Sequence, residues 1–105
     1  MPAIVTDARH FTAPRDWGGR DLAEIAGATV RLHWTDQPYI WHVNTGAEVF
    51  LVLDGVVEMR WREAGTEHRV LLHPADIFVA HAGDEHVAHP QGPARILVVE
   101  EKGSV

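Results

Sequence analysis

Short apolar runs rich in Val, Ile, Leu, Phe and Trp recur along this chain, and turn-forming residues cut them at close intervals. The cuts fall at Trp17-Gly18-Gly19, Asp36-Gln37-Pro38, Asn44-Thr45-Gly46, Asp54-Gly55, Ala64-Gly65, Pro74-Ala75-Asp76, Ala82-Gly83-Asp84 and Pro90-Gln91-Gly92-Pro93. Many short β-rich runs at such spacing predict an all-β sandwich or barrel. The predicted strands are Leu22–Ala26, Thr29–Thr35, Tyr39–Val43, Glu48–Leu53, Val56–Arg62, His68–Leu72, Ile77–Ala80, His86–His89 and Ala94–Glu100. Asp21 to Ala26 is compatible with a helical turn, but the glycines bracketing it favour an extended segment.

Asp54-Gly55 between two such runs predicts a two-residue hairpin of type I′, which needs positive φ at both central residues. The register then sets Leu53 opposite Val56, Phe50 opposite Met59 and Glu48 opposite Trp61. Because side chains alternate faces along a strand, Phe50, Val52, Val57, Met59 and Trp61 share one apolar face. Glu48 lies on that same face. Burying an unpaired carboxylate costs several kcal/mol or forces it to take up a proton. A partner is required, unless the strand end reaches solvent.

Histidines stand where partners would be. The strand before Glu48, expected to run antiparallel beside it, brings His42 and Asn44 close. After Ala82–Glu85, a turn feeds His86-Val87-Ala88-His89, and an inward Ala88 implies an inward His86.

Composition narrows the function classes. At 105 residues the chain fits one domain, with about residues 1–16 as an N-terminal arm. The net charge is -6 and the arginines are scattered, so nucleic acid is not an expected partner. No apolar run is long enough to span a bilayer, and Met1–Asp7 does not read as a signal peptide, so no membrane partner is expected and the cytoplasm is the default location. There is no cysteine, which excludes disulfides and thiolate metal sites. Eight histidines in so short a chain are compatible with metal chemistry and with a plain surface.

These residues carry a resemblance. The chain looks like a small single-domain cupin of the "conserved barrel" type, a double-stranded β-helix or jelly-roll barrel. The first cupin motif runs G-x-x-x-x-x-H-x-H, then Glu after three or four residues and Gly after six more. Here Asp36, His42, Asn44, Glu48 and Gly55 stand at those places. The second runs G-x-x-x-x-x-P-x-G-x-x-H-x-x-x-N, and Ala75, His81, Gly83, His86 and Pro90 stand there. The motifs and their spacer cover Asp36 to Pro90.

The resemblance implies one divalent metal in the barrel. This chain keeps His42, Glu48 and His86 of the family's four ligand positions and has Asn44 in the fourth. Two imidazoles and a carboxylate suit Fe(II), and also accept Zn(II), Mn(II), Ni(II) or Co(II). Asn44 offers a carbonyl oxygen as a weak fourth donor, or a hydrogen bond to metal-bound water. His33, grouped by parity with Arg31 and Thr35, is a further candidate for the missing imidazole. Expected pocket residues are His33, Tyr39, Trp41, Phe50, Met59 and Trp61. His89 is expected to face outward, His81 to sit near a rim, and His10, His68 and His73 to be solvated.

Val49, Leu51 and Leu53 form an aliphatic row on the outer face, which the N-terminal segment or a second copy would cover, and a homodimer is expected. Two functional readings stay open. One is a metal-dependent enzyme, oxygenase- or isomerase-type, acting on a small molecule. The other is a non-catalytic binding or structural dimeric cupin with a partly degenerate site. No Ser-His-Asp set is recognisable, and fold does not choose the reaction.

Overall fold

The computed structural model describes residues 1–104. Nine strands follow one 3-10 turn at Ala8–His10: β1 Gly18–Ile25, β2 Ala28–Thr35, β3 His42–Val43, β4 Glu48–Asp54, β5 Val57–Glu63, β6 Thr66–Leu72, β7 Ile77–Ala80, β8 Glu85–Pro90 and β9 Ala94–Glu101. They form two antiparallel sheets, a five-stranded one in the order β1-β2-β9-β4-β7 and a four-stranded one in the order β3-β8-β5-β6. The sheets face each other as a jelly-roll barrel. Among the described residues no helix is long and apolar enough to cross a membrane.

The strand positions follow the sequence pattern closely, with two corrections in how strands pair. Asp54-Gly55 does not close a hairpin. β4 pairs with β9 and β7, while β5 pairs with β6 and β8 in the other sheet. Gly55 takes φ +82 but Asp54 is not in the left-handed region, so the type I′ condition fails. The segment is a corner that carries the chain from one sheet to the other. A Cβ at Gly55 would run into the Pro93 carbonyl oxygen, which restricts the corner to glycine. The two-residue hairpins lie instead at Ala26-Gly27 and Ala64-Gly65, where both central residues have positive φ.

The second correction concerns β3. It does not lie beside β4. It pairs with β8, so that His42 is directly opposite His86. The extended segment expected from Tyr39 enters a ladder only at His42–Val43.

The inward faces are nonetheless those that alternation indicates. Phe50 and Val52 from β4 meet Val57 and Met59 from β5 across the barrel, with Ile96 and Val98 from β9. Outside the five-stranded sheet, the turn at Ala8–His10 packs against β4 and β9, and Arg95 Nε donates to the Phe11 carbonyl. Leu51 and Leu53 are half-buried there, whereas Val49 stays exposed.

Candidate metal centre

His42 and His86 are register partners on β3 and β8, so their side chains project into the barrel together, with ring centroids 4.4 Å apart. Glu48 opens β4 on the facing sheet and reaches across to them. One donor atom each from His42, Glu48 and His86 lie within 4.8 Å of one another. His86 and Glu48 are buried, at 3% and 8% exposure.

The hydrogen bonds orient these groups. His42 Nδ1 lies 3.0 Å from the Ile40 carbonyl, so Nδ1 is the donor nitrogen and Nε2 keeps its lone pair. His86 Nε2 lies 2.7 Å from Asn44 Oδ1 and 3.2 Å from Glu48 Oε1. Asn44 Nδ2 donates to Glu48 Oε1 and to the Gly46 carbonyl. Asn44 is thus a buried clamp between the carboxylate and an imidazole. His86 Nδ1 is buried with no hydrogen-bond partner among the described residues. Such an orphan costs about 1–3 kcal/mol in a purely protein site.

The donor set fits a divalent transition metal: two imidazoles, one of them fixed in the ligating tautomer, and one carboxylate. Burial pushes the Glu48 carboxyl up, but the hydrogen bond and charge of His86, then Asn44 and His42, hold it below the usual carboxylate range. It therefore stays an anion, as a ligand must.

A cavity of about 310 Å³ opens from this centre. His33, Tyr39 and Phe50 line it. His33 is buried on the inner face with Arg31, and its Nδ1 lies 3.1 Å from the Trp17 carbonyl. Burial above all, and the Arg31 charge, hold its pKa below the ordinary value.

Trp41, Met59 and Trp61 were expected on the pocket wall and do not line this cavity. Trp41 has its ring under the Arg62 guanidinium, 3.7 Å from centroid to carbon. Met59 is fully buried in the core. Trp61 packs between His68 and Phe78, with centroids 5.4 and 5.9 Å away. His81 is exposed, its backbone N–H bonded to Asp84.

Sequence reasoning missed Trp17, Arg31 and Glu100, which also line the cavity. Glu100 is the informative one. It is the register partner of Glu48 on β9, and burial first, then the Glu48 charge, push its carboxyl up to about 6. The alternation Ala94, Ile96, Val98, Glu100 carried the signal, since the first three are buried.

No family model matches the sequence, and no curated protein matches it. Solved structures do match. A cupin-2 domain protein from Shewanella frigidimarina superposes with a TM-score of 0.76 at 22% identity, over 86% of this chain and 85% of that one. A cupin superfamily protein from Desulfitobacterium hafniense gives a TM-score of 0.78 at 15% identity, over 96% and 92%. A hydroquinone 1,2-dioxygenase in complex with Fe3+ gives 0.76 at 13% identity, over 86% of this chain but only 29% of that one. Two facing antiparallel sheets with a His/Glu/His cluster between them, matched over almost their whole length by cupin structures, give this chain the fold of the cupin superfamily.

Proposed function

We propose that this protein is a metal-dependent cupin enzyme in which His42, Glu48 and His86 hold one divalent transition metal and act on a small molecule in the adjoining cavity. The observation that carries the reading is the convergence of the three donor atoms within 4.8 Å, drawn from three strands and both sheets. When bound, such an ion supplies Lewis-acid and redox chemistry at positions the protein leaves open. The chain's own residues hold and orient it. The Ile40 carbonyl fixes the His42 tautomer, and Asn44 positions Glu48 and His86 rather than replacing an imidazole. A hydroquinone 1,2-dioxygenase with bound Fe3+ shares the fold, which supports a metal in this barrel without choosing between oxygenase- and isomerase-type chemistry.

Metal analysis of protein purified without chelator tests the proposal. About one transition-metal ion per chain is expected, lost in His42→Ala and His86→Ala with the β-sheet circular dichroism retained. Absence of metal, together with no binding on titration with Fe(II) or Ni(II), refutes it. The closed set of hydrogen bonds among His86, Asn44 and Glu48 favours one other reading, a binding module without turnover. Metal loading without oxygen consumption across a substrate panel selects it.

A homodimer is part of the same proposal. Val49, Ile77 and Val79 are 37%, 57% and 48% exposed on the outer face of β4 and β7, an apolar strip that a second copy would cover. Light scattering on the purified protein, compared with Val79→Glu, tests it.

A further inference from the structure

Arg31 is a charged group on the inner face of a barrel whose other inward positions are mostly apolar. It lies in one row with Val98 on β9 and Phe50 on β4, a step along the sheet from the Glu100 and Glu48 row. All five residues line the cavity. Asp21, its partner on β1, takes the guanidinium by Nε at 2.6 Å. Among the described residues this is the one ion pair Arg31 makes, and it uses Nε, so the terminal nitrogens are not spent on Asp21; Arg31 borders this cavity and also a neighbouring hollow that Asp21 and Lys102 share.

Between rim and metal centre the walls change character. The floor is Val98 and Phe50. The opposite wall is Trp17 and Tyr39, edge to face at 5.3 Å, and Tyr39 in turn meets His42 at 5.4 Å. Arg31 stands two strands from Phe50, about 10 Å at the usual strand spacing. A divalent ion at His42, Glu48 and His86 would, with Arg31, set three positive charges against those of Glu48, Glu100 and Asp21, so the metal-bound cavity with Glu100 ionised is neutral rather than anionic.

Resting on the proposed metal centre, we propose that the cavity takes a small organic carboxylate, its carboxylate paired with the terminal nitrogens of Arg31 and its apolar body lying between Val98, Phe50, Trp17 and Tyr39. The planar fork of a guanidinium matches a carboxylate with two parallel hydrogen bonds. A phosphate dianion fits less well than a carboxylate monoanion, because its second charge adds to the repulsion from Glu100 and Glu48. The body is short, of the order of one aromatic ring or a short branched chain, and its far end meets the imidazoles.

The test is calorimetric titration of the full chain with benzoate, phenylacetate, isovalerate and neutral benzamide. Wild type, Arg31→Met and Arg31→Lys are each measured with and without Ni(II), and Ni(II) binding is measured separately. At least one carboxylate is expected to bind wild type and to lose about tenfold or more in Arg31→Met, as for a charge-assisted hydrogen bond. Arg31→Lys recovers part of the loss, and benzamide is weak in all three. Arg31 is half-exposed and its pair with Asp21 is a surface one, so Arg31→Met should melt close to wild type. Equal carboxylate affinity in wild type and Arg31→Met overturns the proposal, as does no carboxylate binding in either form. Failure of the metal reading shows separately, as absent Ni(II) binding. The Arg31 dependence is then read in the metal-free protein, where the same outcomes decide it.

Discussion

Replacing Glu100 by glutamine should stabilise the metal-free protein at neutral pH and leave it unchanged in acid. Glu48 and Glu100 sit opposite each other on β4 and β9, and both line the cavity. Glu48 remains ionised because His86 and Asn44 bond it, so Glu100 carries first the cost of its own burial and then the repulsion of the Glu48 charge, and its pKa rises from 4.5 to about 6. Below pH 4.5 folded and unfolded chains both hold this proton and the group contributes nothing. Between 4.5 and 6 the folded chain holds a proton the unfolded chain has released, so stability falls as pH rises. Above 6 the penalty is complete. The displacement corresponds to about 2 kcal/mol. Glu100 is only half-buried, and screening by solvent reduces this to about 1 kcal/mol. For a domain of this size that is a gain of about 4–8 °C in Tm. Thermal melts of chelator-treated wild type and Glu100→Gln at pH 4.5 and pH 7.5 measure it. With Ni(II) bound the gain should shrink, because a cation makes the second carboxylate favourable. A gain of equal size at both pH values, or none at pH 7.5, would refute the reasoning.

Asn44→Ala removes the clamp on Glu48 and His86; metal affinity should fall about 10–100-fold and stability by about 1–3 kcal/mol, read by titration and by denaturant melts. Gly55→Ala places a methyl against the Pro93 carbonyl at positive φ and should cost more than about 1 kcal/mol in urea unfolding, with the metal ligands untouched. Met59→Ala opens a cavity in the fully buried core and should cost about 2–5 kcal/mol, without changing the metal content of the folded fraction.

Alternation along each strand determined which side chains point inward, because a period of two is a local property of the backbone. It placed Glu48, Phe50, Val52, Val57 and Met59 on buried faces, grouped His33 with Arg31, and, with the spacing of His42, Glu48 and His86, outlined the centre. It did not determine which strands are neighbours. Phe50 and Met59 read as side by side on a hairpin, yet they face each other across the barrel, and both arrangements give the same alternation. His42 looked like the strand neighbour of Glu48 and is the strand neighbour of His86. Only the tertiary structure brought Glu100, half a chain away, beside Glu48, and set Arg31 over the same cavity. Pairing between distant strands is decided by how two sheets close around a common core, and no local pattern records that closure.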